Sequence, residues 1–130
     1  MEAKRILKPP LRGREKEIDC SLAPDGDLYV NAVAFKGYWE IPHSGGACYD
    51  GFWAFWTPKT REVSILPAPY DPLYKNNAIT KQGRGYTARL WKLMKQHKIE
   101  LKEPVRIERF VRRGDLIVFQ IPEESIKEGV

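Results

Sequence analysis

The chain has 130 residues and 15.0 kDa, with 42% hydrophobic and 30% charged residues, the range of one globular domain able to build a core without metal or disulfide staples. No apolar run reaches the ~18 residues of a membrane span, and the charged residues 1–17 lack the apolar stretch of a secretion signal, which argues against membrane spanning and classical export and leaves a cytoplasmic protein as the expectation. Two cysteines, Cys20 and Cys48, are too few for a disulfide scaffold and wrongly spaced for a four-ligand zinc site.

In chain order, residues 1–17 contain Pro9-Pro10 and Gly13 and mix charges without an apolar period, which predicts a basic flexible arm ahead of one globular unit over residues 18–130. Pro24-Asp25-Gly26-Asp27 predicts a β-turn, since the closing Glu of a calcium loop is missing. Residues 28–35 and 38–41, rich in β-formers and divided by Gly37, predict strand, turn, strand. After the breaker Pro42-His43-Ser44-Gly45-Gly46, residues 47–57 and 61–66 predict two more strands around a turn at Pro58-Lys59-Thr60. Residues 18–66 thus read as an antiparallel meander. Pro67, Pro69 and Pro72 predict a stiff connector over 67–77, because proline cannot feed a sheet ladder.

Residues 78–121 then predict a strand at 78–82, a turn at Gly83-Arg84-Gly85, and a helix over 87–98 with Thr87 as its N-cap. On a helical wheel Leu90, Leu93, Met94 and His97 share one face, while Arg89, Lys92 and Lys95 occupy the other. A hairpin of 105–111 with 116–121 turns through Arg112-Arg113-Gly114-Asp115, and the tail from Pro122 reads as loosely ordered. The expected fold class is β-rich α+β: an antiparallel sheet or small barrel with one principal helix at about 87–98.

Charge is unevenly spread. Residues 75–113 hold twelve basic against three acidic side chains, a local net of +9, so the rest of the chain sums to −4 within the total of +5. Such clustering is the footprint of a surface that meets phosphates or another polyanion. Lys81, Arg84, Arg89, Lys92 and Lys95 are the candidate phosphate contacts, with Arg106, Arg109, Arg112 and Arg113 extending the track. Arg84, flanked by glycines, combines close backbone approach with a bidentate guanidinium. Tyr86 and Trp91 are candidates to stack on unpaired bases.

The run Phe52-Trp53-Ala54-Phe55-Trp56 is aromatic or apolar on both strand faces and must be covered twice. A central buried strand meets that need; otherwise Phe52, Trp53, Phe55 and Trp56 form a subunit interface, most simply a homodimer's. His43, Cys48 and Asp50 lie close in sequence, but nucleophile and base normally converge from separate elements, so cysteine catalysis is not expected. Neither His43 nor His97 belongs to a metal-ligand spacing, and no cofactor motif is present. Ser, Thr, Asn and Gln total only 14, a bias of heat-adapted proteins that points to a thermophilic host or a virus of one.

Lys81-Gln82-Gly83-Arg84, the helix carrying Leu90 and Met94 and closing at Lys98-Ile99, and the strands at 105–107 and 116–119 follow the order and spacing of the SpoVT/AbrB swapped-hairpin DNA-binding family, which residues 78–121 resemble. The resemblance implies a dimeric, interleaved β-barrel whose basic surface meets duplex DNA, with Lys81, Arg84 and Arg89 at the family's contact positions. The chain departs from the pattern at Ala88, where the family has a near-constant Pro, and at Gly85, which replaces an apolar residue.

The leading expectation is a non-catalytic nucleic-acid-binding protein, such as a small transcriptional regulator. One alternative is a structural or protein-interaction factor, viral or accessory, docking an acidic partner through the same basic face. Another is a metal-independent nuclease using Arg, Lys, Tyr86 and a histidine.

Overall fold

Apolar residues at every second position organise the first two strands of the structure, a computed structural model in which residues 19–127 are described. In β1 (Cys20–Leu22) and β2 (Asp27–Asn31), Cys20, Leu22, Leu28 and Val30 are fully buried while their neighbours point outward, the period that a half-buried strand requires. The basic arm expected over residues 1–17 lies outside the described residues.

Seven further strands follow: β3 (Gly51–Thr57), β4 (Glu62–Ala68), β5 (Asn77–Gln82), β6 (Gly85–Arg89), β7 (Val105–Ile107), β8 (Val111–Arg113) and β9 (Leu116–Gln120). All pair antiparallel in one sheet of order β7-β1-β2-β6-β5-β3-β4-β9-β8. Strands β7 and β8 are its two ends, yet only Glu108, Arg109 and Phe110 separate them in the chain. Those links span at most about 14 Å, so the sheet must curl into a half-barrel whose ends approach each other. The class is β-rich and closer to all-β than to α+β.

The concave face holds the core. Leu22, Leu28, Ile65, Ile117, Phe52 and Phe119 are fully buried there, and Phe110 closes the seam against Phe119, its ring edge-on at 5.7 Å. Among the described residues two α-helices accompany the sheet, α1 (Ala32–Trp39) and α2 (Trp91–Gln96).

Helix α1 corrects the strands expected at 28–35 and 38–41. Strand β2 ends at Asn31, whose side chain accepts a 3.0 Å hydrogen bond from the Ala34 N–H, a strong helix-start signal. Phe35 and Trp39, four apart, then fall on one buried face and stack at 5.8 Å. An aromatic pair at helical spacing prevailed over β-propensity.

The helix expected over 87–98 is likewise corrected. Thr87 is buried inside β6 and hydrogen-bonds Gln82 through its hydroxyl, because Ala88 sits in a central strand paired with both Leu28 and Ile79. Only Trp91–Gln96 is helical; Leu90, Leu93 and Met94 are buried as expected, but His97 is exposed. Helix α1 is the longer of the two.

Residues 105–111 do not form one strand: β7 pairs with β1, and β8 forms the hairpin with β9 around Gly114. Pro67 belongs to β4, opposite Phe52, rather than to the connector. It is tolerated because β9 pairs with β4 only as far as Ile65, leaving an edge-like position. Residues 122–127 of the tail are also ordered: Glu123–Ser125 forms a short 3-10 turn and Ile126 bridges Leu101.

Candidate nucleic-acid interface

Register decides which basic side chains share a face. Arg106 of β7 lies in a row with Ser21, Tyr29 and Thr87 on the convex face of β7-β1-β2-β6, and Arg89, two residues beyond Thr87, shares that face. Asp27 stands opposite Arg89 in the ladder without forming an ion pair with it. Lys81 pairs with Tyr86 on the concave side but is exposed at the open end of the β5–β6 hairpin.

Arg84 is the exposed tip of that hairpin, beside Gly83 at φ 60°. Gly85 lets the Tyr29 ring of the neighbouring strand lie over it; an added Cβ would push that ring aside. At the other end of β6, the Leu90 N–H donates to the Gly26 carbonyl at 2.7 Å and starts α2. Leu93 and Met94 bury one side of α2, leaving Lys92 and Lys95 in solvent. Arg84, Arg89, Lys92 and Lys95 therefore mark a band along β6 and α2, roughly 20 Å long at strand and helix rise.

Trp91 is 44% exposed with the Lys92 Nζ over its ring, 5.6 Å from the centroid, so a planar ligand stacking on that face would displace the flexible ammonium. Tyr86 is not: it stacks on Phe35 at 3.7 Å, with 18° between the planes, and serves the packing of α1. Arg112 and Arg113 are engaged as well. The Arg112 guanidinium lies 5.5 Å from the Tyr38 ring centroid and donates to the Tyr38 carbonyl at 3.3 Å. Arg113 donates to both Glu62 oxygens at 3.1 and 3.0 Å. That hydrogen bond, before the one from Thr60, holds the Glu62 carboxyl below its usual range. This is the ion pair found among the described residues. Lys81, Arg84, Arg89, Lys92, Lys95, Arg106 and Arg109 remain exposed without a carboxylate partner among the described residues.

The aromatic strand divides by face. Phe52 belongs to the core and not to a contact surface; Ala54 and Trp56 pack against that core. Trp53 and Phe55 point to the convex side, Trp53 half-buried and Phe55 49% exposed. A register row leads from Phe55 through Ser64 and the buried Val118 to Val111 of β8, which is exposed again. The strand is thus covered on one face only.

Cys20 is fully buried, and burial pushes its thiol up to about 12, where it is inert at neutral pH. Cys48 is also shifted up, by burial and then by Glu40. Among the described residues no group of three or more His, Cys, Asp or Glu could hold a metal ion, and no helix is long and apolar enough to cross a membrane.

Sequence reasoning missed a cleft of about 330 Å³ at the seam between β7 and the β8–β9 hairpin. Its lining joins strands distant in the sheet order, so neither spacing nor periodicity marks it. No protein family, curated protein or solved structure matches the chain.

Proposed function

We propose that this protein binds nucleic acid without catalysis, along the band that runs from Arg84 through Arg89 to Lys92 and Lys95. One observation carries the reading: these side chains are exposed and lack acidic partners among the described residues, in a chain whose residues outside 75–113 are net acidic. Cations so placed condense onto phosphates and release counterions, which gives affinity without any base-specific contact. Trp91, beside Lys92, adds a stacking surface. A small transcriptional regulator is one use of such a band.

A second reading, self-association or docking of a protein partner, draws on the convex apolar surface around Phe55 and Val111, which are 49% and 43% exposed. A homodimer covering it would leave the basic band free, so the two readings are compatible.

Changing Arg84, Lys92 and Lys95 together to alanine tests the first reading. The slope of log K against log salt should flatten by roughly two units, at about 0.7–0.9 per lost phosphate contact. An unchanged slope in a folded variant rejects this band as the contact surface.

A further inference from the structure

The curling of the sheet brings Arg106 and Arg109 to a cleft whose other wall is the convex face of β4, β9 and β8. Val111, 43% exposed over the buried Val118, gives that wall an apolar surface, and Gln120 sits beside it. Gln120 donates its amide N–H to the Thr60 carbonyl at 2.8 Å, which leaves its side-chain oxygen able to accept from a ligand. Glu62, also on this wall, is engaged by Arg113. Glu108 lines the cleft with Arg106 and Arg109, so the two arginines outnumber the acid that no cation engages. The volume, about 330 Å³, lies at the small-ligand end of binding clefts.

An apolar wall, one hydrogen-bond acceptor and two unpaired guanidinium groups suit a ligand with a flat, weakly polar body and an anionic group. We propose that the seam cleft receives one unpaired nucleotide of a nucleic-acid strand, its phosphate on Arg106 and Arg109 and its base against Val111. Base N–H groups then donate to Gln120. The inference rests on the nucleic-acid reading and narrows it, because a base held in a duplex cannot leave its stack to enter the cleft without an unpairing cost. The protein should therefore prefer single strands to the duplex that the family resemblance implies.

The test compares one labelled oligonucleotide, single-stranded and annealed, by anisotropy at fixed salt with wild-type protein, V111W and the double variant R106A/R109A. Val111 is half-exposed in a β-strand, so tryptophan there fills the cleft without altering charge, and circular dichroism checks that the fold persists. The wild type should bind the single strand about ten-fold more tightly than the duplex, the order of one accommodated base. V111W should remove that preference and leave duplex binding unchanged, while R106A/R109A should weaken the single strand more than the duplex. A folded V111W that keeps the preference overturns the cleft assignment and leaves the basic band standing. Absence of binding to either form overturns the nucleic-acid reading as well. A nucleoside monophosphate that binds tightly in a V111W-sensitive manner, with no strand binding, shows the cleft to serve free nucleotides and overturns the strand as its ligand.

Discussion

Trp39→Ala is expected to cost about 3–5 kcal/mol of stability, a large share of the 5–15 kcal/mol typical of a domain. Trp39 is fully buried at the end of α1, stacked on Phe35 at 5.8 Å and set edge-on to Phe52 at 6.4 Å. It ties the helix that breaks the early strand pattern to the aromatic strand β3, and alanine leaves a cavity that two flanking rings cannot collapse to fill. The indole also carries a liability, since its buried Nε1–H has no hydrogen-bond partner. Trp39→Phe keeps a ring in place and removes that orphan donor, which offsets part of the lost volume. Its expected cost is below about 1.5 kcal/mol. Urea titrations of the two variants separate the contributions; equal losses would show that indole volume, not ring contact, holds α1.

The second large effect is expected at Gly26. Its φ is 101°, a region that L side chains rarely adopt, and an added Cβ would lie 2.5 Å from the Trp91 Cα and 2.7 Å from its N. Those are backbone atoms of α2 and cannot swing aside. Torsional strain of ~1–2 kcal/mol combines with overpacking of ~1–3 kcal/mol, so Gly26→Ala should lose about 2–5 kcal/mol. Gly45→Ala is the control: φ there is 72°, but nothing lies within 4 Å of the added atom. It should lose only the torsional part. Thermal melts of both variants measure the difference, and equal losses would mean that α2 is not seated on the β1–β2 turn as described. Because α2 carries Lys92 and Lys95, the same glycine positions half of the basic band.

These two positions also show what the chain alone made legible. The glycine of Pro24-Asp25-Gly26-Asp27 marked a turn, but nothing local shows that a helix sixty-five residues later rests on it. The strand β9 was readable from its run of β-formers, as was the antiparallel order of the strands around Pro58-Lys59-Thr60, since each rests on adjacent residues. Where two local tendencies competed, tertiary contacts decided. Asn31 as a cap and the Phe35–Trp39 pair turned a β-rich stretch into α1. Between two strand partners, Ala88 kept Thr87 in the sheet despite its capping chemistry. Of the candidate contacts, the basic character of residues 75–113 was visible in composition alone. The engagement of Arg113 by Glu62, fifty-one residues away, was not, nor was the packing of Tyr86 on Phe35. The seam cleft was least legible of all, because it exists only once β7 and β8 meet at the ends of the curled sheet.

The central claim is that unpaired surface cations on β6 and α2 meet phosphate. The most direct measurement is anisotropy of the unmodified protein with labelled single-stranded DNA, duplex DNA and RNA across a series of salt concentrations. The account predicts micromolar or tighter binding to at least one of them, weakening with salt at a log–log slope of about −3 or steeper, as four or five phosphate contacts require. No binding to any of the three near 50 mM salt, or binding that is indifferent to salt, would contradict it.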